Sequence, residues 1–313
     1  MREEKGRIAL AFDLGGTKLH AALVDPEGRI LAERLLPTHR EKEVLLASFR
    51  RTAAELLDQV PGDRRVVATG VGTAGVVKPE GGLITYAPNL PLQEFALGGY
   101  LARFCPAPVT VLNDGRAAAL GEYAFGELAG VDPMLCLFYG TGIGIGVVIE
   151  GRLLVGHDSY AGEIGHTIFD PGGRRCACGK RGCVETLCGG GAMGARAAAE
   201  IGPPAAGEEE WSVGAIVRRA GAGEPRAERI LADALTGFRV LTANAVTLFN
   251  PGALVLGGGV LQGWPELYDL VGEGLVEMVH PAVRANLRTA RSRLGSRAIL
   301  LGAGAAALGS VSS

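Results

Sequence analysis

The densest chemistry in the chain lies at residues 166–183, where His166, Cys176, Cys178 and Cys183 offer one imidazole and three thiolates. That is a tetrahedral zinc set, and a set with no open position implies a structural ion. Gly179 and Gly182 let the backbone turn around so small a centre. A disulfide would need an oxidising compartment, and a group of unligated core cysteines is the remaining alternative. Cys105, Cys136 and Cys188 lie in apolar surroundings and receive no assignment. Glu163 precedes this knuckle and Glu185 follows it, so a bound metal would hold two carboxylates near one point. Rigidly held carboxylates suit paired sugar hydroxyls; solvated loop acids are the plainer alternative.

Three glycine-rich turns each follow an apolar run: Asp13-Leu-Gly-Gly-Thr-Lys18, residues 140–146, and residues 257–259. Gly16-Thr17-Lys18 lacks the spacing and order of a Walker loop, and 140–146 has glycine at every second position, unlike a dinucleotide fingerprint. With Thr17, Lys18 and Thr141 beside them, the three turns point to a nucleotide triphosphate. Asp13 is placed either to hold a metal ion through water or to cap its turn. Asn113-Asp114 ends an apolar strand and opens a helix, where open α/β sheets bind ligands. Asp114 there can take a proton from an attacking hydroxyl that Asn113 orients; capping the helix is the structural alternative, and one residue can do both.

The elements that must position these groups follow from periodicity. Strands are predicted at 7–13, 19–24 and 29–36, a helix at 41–59, and strands at 66–71 and 108–112. That is an α/β half with an antiparallel hairpin at one edge. A helix at 116–128, a strand at 134–139 and a strand pair at 147–149 and 152–155 repeat the order of strand, Gly/Thr turn and strand, which suggests two related folds. Pro225 opens a long amphipathic helix that stops at Asn250-Pro251; a strand at 253–256 and an Ala/Gly-rich helix at 300–308 follow. Residues 203–210 read as a flexible loop.

Composition sets the outer limits. The chain has 313 residues, 48% of them hydrophobic, which suits two core-forming units and argues against disorder. Its 33 acidic and 31 basic side chains leave a formal charge of −2, so non-specific nucleic-acid binding is not expected. MREEKGR ahead of a short apolar run is not a secretory signal, and the expected location is the cytoplasm. The uncharged stretch 133–149 is too short and too glycine-rich for a membrane helix. The 49 glycines are more than twice the roughly 7% usual share, and nine of them (Gly15, Gly16, Gly140, Gly142, Gly144, Gly146, Gly257, Gly258, Gly259) fall in the three turns, where positive φ or close approach is expected.

Taken together, these residues resemble the ROK family (repressor, open reading frame, kinase) over nearly the whole chain. The resemblance rests on Asp13-Leu-Gly-Gly-Thr-Lys18, Ala87-Pro-Asn89-Leu90, Asn113-Asp114 with Ala117-Ala-Ala-Leu-Gly-Glu122, Gly140-Thr-Gly-Ile-Gly144, Ala161-Gly-Glu163-Ile-Gly-His166, Cys176-x-Cys178-Gly-x-x-Gly-Cys183-x-Glu185 and Leu256-Gly-Gly-Gly-Val260. The cysteine motif with the Glu-x-Gly-His before it is the specific part. The implied fold is α/β, a two-domain actin-like ATPase (ribonuclease H-like) fold with a small zinc knuckle. Its domains would be 1–115, completed by a helix at 297–313, and 116–296.

The resemblance implies an ATP-dependent hexokinase moving the γ-phosphoryl to a sugar hydroxyl, first of all the 6-hydroxyl of glucose. Kinases of fructose, mannose, allose, N-acetylglucosamine or N-acetylmannosamine are alternatives, as is a non-catalytic sugar-binding regulator. Asp114 matches the catalytic base, and Asn89, Asn113, Asp114, Glu163, His166 and Glu185 match sugar contacts, with His166 also on the zinc. Asp13, Gly15, Gly16, Thr17, Lys18, Thr141 and Gly142 would serve the phosphates and their Mg²⁺, and Gly257, Gly258 and Gly259 would border the nucleoside. A homodimer or homotetramer is implied, with no nucleic-acid or membrane partner. Repressors of the family carry a winged-helix domain ahead of the core, and the twelve residues before Asp13 are too few for one. Departures from the family pattern are Ile145 in place of a common glycine, Gly72-Thr-Ala-Gly75 without the usual proline before its last glycine, and Gly115 in place of a frequent alanine.

Overall fold

In the computed structural model, which describes residues 6–78, 80–204 and 210–309, the first apolar run becomes the central strand of a sheet. Most of the expected loop at 203–210 falls on 205–209, outside the described residues. The chain divides into two compact units: Met1–Asp132 with Gly146–Gly162 and Leu294–Ser313, and Pro133–Ile145 with Glu163–Arg293.

In the first unit, β1 (Arg7–Leu14) pairs antiparallel with β2 (Lys18–Val24), which pairs with β3 (Ile30–Pro37). On its other side β1 runs parallel to β4 (Arg65–Thr73), and β4 to β8 (Val109–Asn113). Five consecutive residues of β1, 8 to 12, have no exposed surface, because the strand is covered on both faces. Ile8, Leu10 and Phe12 meet Leu45, Phe49 and Leu56 of α1 (Lys42–Leu57), while the small Ala9 and Ala11 admit a helix on the other side. That helix is α11 (Ala298–Leu308), apolar on every side and buried along its length.

Three short strands, β5 (Val76–Lys78), β6 (Leu83–Tyr86) and β7 (Phe95–Ala96), form a second small sheet, and α2 (Leu97–Leu101) follows them. The helix after β8 is α3 (Asp114–Phe125), which starts two residues earlier than its apolar spacing predicts. Its partner is α11. A Cβ on Gly302 would overlap the Ala117 carbonyl, and one on Gly121 would overlap that of Ala298, so the two helix backbones touch only because both positions are glycine.

In the second unit, β9 (Met134–Tyr139) runs parallel to β12 (Ala253–Gly257), and β12 to β13 (Arg288–Arg291). The sheet order is β11-β10-β9-β12-β13; the end of β10 (Ile143–Ile149) from Gly146 and β11 at Arg152–Leu153 belong to the first unit, while β10 starts in this one. Helices α4 (Glu185–Cys188), α5 (Gly190–Glu200), α6 (Val213–Gly221), α7 (Pro225–Phe249), α8 (Gly259–Gly263), α9 (Leu267–Met278) and α10 (Pro281–Arg284) complete it. Helix α7 begins on Pro225 and ends at Asn250 in the left-handed region, as its flanking residues predict. Its Phe238 ring stacks 4.4 Å from Tyr139, whose buried hydroxyl bonds Thr242. Because β10 begins at Ile143, Gly144 and Gly146 are strand residues and not part of a turn. A Cβ on Gly146 would strike Ala119, so this glycine serves packing against α3.

The α3–α11 contact predicts a sharp asymmetry between two glycines. Gly302→Val should cost about 3 kcal/mol or more and lower Tm by several degrees, whereas Gly272→Ala, in α9 with nothing within 4 Å of the added carbon, should leave Tm unchanged or slightly raised. Paired thermal melts of the two variants measure it.

Candidate active site

In the first unit the parallel register aligns the ends of three strands. Asp13 lies beside Gly72, Gly72 beside Leu112, and Thr73 beside Asn113, so Asp13 and Asn113-Asp114 emerge at one carboxyl edge. Asn113 is the helix cap: its Oδ1 accepts from Arg116 N–H at 3.2 Å, and its Nδ2 donates to Gly75 O at 3.0 Å. Capping therefore belongs to Asn113 and not to Asp114, whose Oδ1 accepts from Gly115 N–H at 2.8 Å in the first turn of α3. The Asp114 charge reaches Asp13. Burial first, and that charge second, push the Asp13 carboxyl up to about 7.

The turn after β1 is closed by Gly15 N–H to Lys18 O at 2.9 Å and is braced by Thr38, whose hydroxyl donates to Gly15 O and whose N–H donates to Thr17 O. Thr17 and Lys18 are exposed, as is Asn89, and a Cβ on Gly16 would sit 3.3 Å from the Asn89 Cβ. Neither Gly15 nor Gly16 has positive φ, so close approach is what favours glycine at Gly16.

In the second unit, adjacent parallel strands β9 and β12 deliver two turns to one edge: Thr141-Gly142 after the first, Gly258-Gly259 after the second. Gly258 has φ of 99° and lies so close to Tyr139 that a Cβ would overlap its backbone, while Gly257 is a strand residue between Phe138 and Ser292. Glu185, at the start of α4, accepts from Ile143 N–H through Oε2 at 2.8 Å. A Cβ on Gly142 would fall 2.5 Å from that oxygen.

His166, half-buried at the end of a single 3₁₀ turn, has its two ring nitrogens on different partners. Nδ1 is 3.6 Å from Cys176 Sγ and 3.9 Å from Glu185 Oε1; Nε2 faces Glu163 Oε2 at 4.0 Å. Cys178 and Cys183 approach to 3.5 Å between sulfurs, and the four ligand atoms lie within 4.8 Å of one another. Ligands at about 2.3 Å from a tetrahedral ion stand about 3.8 Å apart, so this donor set fits zinc.

The ROK family model matches residues 9–310. The chain belongs to the ROK family. It is 35% identical over 186 residues to a glucokinase of Streptomyces coelicolor, a stretch covering 59% of this chain and 57% of that enzyme. It is 33% identical over 264 residues to an N-acetylmannosamine kinase of Escherichia fergusonii, covering 83% and 86%. Among solved structures, a ROK hexokinase from Thermus thermophilus matches with a TM-score of 0.84 at 33% identity, over 96% of this chain and 97% of that one. The fold is thus the α/β, actin-like ATPase fold of the ROK family, with a Cys/His cluster consistent with its zinc knuckle.

One group in this ROK chain was not singled out by residue type. Arg116, 6% exposed, donates through Nη2 to the carbonyls of Ser159, Ala161 and Val155 at 2.9, 3.1 and 3.3 Å, tying the segment ahead of Glu163 to the first turn of α3. Its only sequence signal is a charge set into the apolar run Arg-Ala-Ala-Ala-Leu. Among the described residues, no helix is long and apolar enough to cross a membrane.

Two outcomes follow. The raised Asp13 carboxyl favours the folded state below the ordinary carboxylate range, and that contribution is lost as pH rises through about 7. Asp13→Asn should therefore raise Tm at pH 8 by about a few degrees, with the gain shrinking as pH falls below about 7 and gone only below the ordinary carboxylate value of 3.8. Metal analysis of purified protein should find about one zinc per chain, falling to near zero in Cys183→Ser.

Proposed function

We propose that this chain is an ATP-dependent hexose kinase, with glucose as the first substrate to consider. The observation that carries the reading is the pair Asp13 and Asp114 at the carboxyl edge of parallel strands, where burial first and the Asp114 charge second push the Asp13 carboxyl up to about 7. Two acids so placed are mutually unfavourable unless a proton or a cation lies near them. That is a fitting environment for a Mg²⁺-phosphate ligand beside a hydroxyl acceptor.

In this reading Asp114 accepts the proton of the sugar hydroxyl. The freed oxygen attacks the γ-phosphorus, the bond to the β-phosphate oxygen breaks, ADP leaves, and Asp114 returns its proton to water. Asn113, fixed by its bonds to Gly75 and Arg116, keeps Asp114 at the helix start. Thr17, Lys18, Thr141 and Gly142 hold phosphate oxygens; Thr17, Lys18 and Thr141 are exposed and carry hydroxyl and ammonium donors suited to them. Gly258 and Gly259 border the nucleoside beside the open start of α8. Asp13 would hold Mg²⁺ through water; when bound, the ion supplies charge neutralisation along the phosphates.

Asn89, Glu163, His166 and Glu185 hold the hexose hydroxyls. His166 Nδ1, the nitrogen beside Cys176, faces the zinc position, which leaves Nε2, near Glu163, for the sugar. His166, Cys176, Cys178 and Cys183 would hold a zinc whose contribution, when bound, would be structural: it would fix the imidazole and its flanking carboxylates. The reaction depends on cellular ATP, which places the enzyme in the cytoplasm.

Glucose is supported by the glucokinase relative, and the N-acetylmannosamine kinase relative keeps the 2-substituent open. Asp114→Asn should fold normally and bind hexose within about threefold of the wild type, yet lose turnover by a factor of about 10³ or more. Turnover within tenfold of the wild type in the purified variant removes Asp114 from the base role.

A further inference from the structure

The turn that follows β9 does not stand by itself. Gly140 O accepts from Gly190 N–H and Thr141 O from Gly191 N–H, each at 2.9 Å, and Ile143 N–H donates to Glu185 Oε2 at 2.8 Å. All three partners come from residues 185–191, the segment that leaves the cysteine knuckle two residues after Cys183. The side-chain bond is the charged one, and the glycines around it leave no space for anything else. A Cβ on Gly142 would lie 2.5 Å from Glu185 Oε2, and one on Gly165 would lie 3.4 Å from it. The other oxygen, Oε1, faces His166 Nδ1 at 3.9 Å.

We propose that Glu185 is a positioning residue for the phosphate donor: its Oε2 fixes the Thr141-Gly142 turn through Ile143 N–H, so that one carboxylate on the knuckle sets nucleotide affinity as well as contacting the sugar. The inference rests on the kinase reading and extends it. A carboxylate oxygen accepting a backbone N–H in a half-buried setting holds that backbone more firmly than a neutral acceptor, and losing it leaves the turn free to move away from the phosphates. The two oxygens also give a physical link between acceptor and donor: a sugar that orders Oε1 reduces the freedom of Oε2, and by reciprocity a bound nucleotide favours the sugar.

The test is calorimetric binding of the non-hydrolysable analogue AMPPNP with Mg²⁺ to the full chain. Four variants are compared with the wild type: Glu185→Ala, Glu185→Gln, Gly142→Ala and Glu163→Ala. Glu185→Ala and Gly142→Ala should weaken AMPPNP by about tenfold or more, the size expected for one lost charge-assisted hydrogen bond. Glu185→Gln retains an acceptor oxygen and should stay within about threefold for AMPPNP, although its hexose affinity falls. Glu163→Ala, which touches no part of the turn, should bind AMPPNP as the wild type does. Unchanged AMPPNP affinity in Glu185→Ala, or equal losses in Gln and Ala, overturns the inference. Should Glu185→Ala fail to fold, unchanged affinity in Gly142→Ala overturns it equally. No AMPPNP binding by the wild-type chain overturns the donor reading itself, and the inference with it.

Discussion

The contact on which the first unit depends is the one between α3 and α11, where two helix backbones meet without a side chain between them. Gly302 and Gly121 remove the carbons that would otherwise overlap the opposite carbonyls, and Ala9 and Ala11 of β1 let the same helix lie down on the sheet. Dispersion over so tight a fit depends steeply on distance, so the placement of α3 is well determined. That placement sets where α3 begins, and hence where Asp114 stands relative to β1. Asn113 completes the arrangement by capping α3 and gripping Gly75, and Arg116 draws residues 155–161 onto the same turn. A pair of carboxyl groups held near each other is thus a consequence of close packing some distance away.

The second unit solves its positioning problem by different means. Its glycine turn is hung by hydrogen bonds on the chain that leaves the cysteine knuckle, and His166 turns one nitrogen toward the thiols and the other toward Glu163. In the first unit apolar packing does the fixing; in the second, a small polar cluster does it. A knuckle of 18 residues, from His166 to Cys183, buries too little apolar surface to hold its shape by packing alone, which is the condition under which a structural metal contributes most.

Much of this was legible in the residues. Cys176, Cys178, Cys183 and His166 are separated by glycines at distances that allow one centre, and the structure gathers their ligand atoms. Apolar runs gave the strands of both main sheets except the edge strand β13, Arg-Thr-Ala-Arg, because buried strands need only length and β-branched or aliphatic content whereas this edge strand is mostly exposed. Asp114 was legible because a strand end followed by a helix is a place and not merely a residue type. What stayed hidden depended on partners distant in the chain. Nothing in the local sequence says that Ile143 N–H will find a carboxylate 42 residues later, or that Asn113 rather than Asp114 will cap α3. The glycines are only half legible: the excess suggested strand-end turns with positive φ or close approach to a ligand, yet Gly146, Gly302 and Gly121 are glycine because another part of the same unit sits where a methyl group would be. The short helices α4, α5 and α10 lack the periodic large apolar residues by which α7 announces itself.

A hexose kinase transfers a phosphoryl group and does not only bind sugar. The most direct measurement is ³¹P NMR of purified protein with Mg²⁺-ATP and a single hexose, glucose first and then its alternatives, in which product and ADP are seen together. An ADP signal should rise in step with a hexose 6-phosphate signal, with little ADP when sugar is omitted. Saturable hexose binding without any phosphate ester, for every hexose supplied, would contradict it.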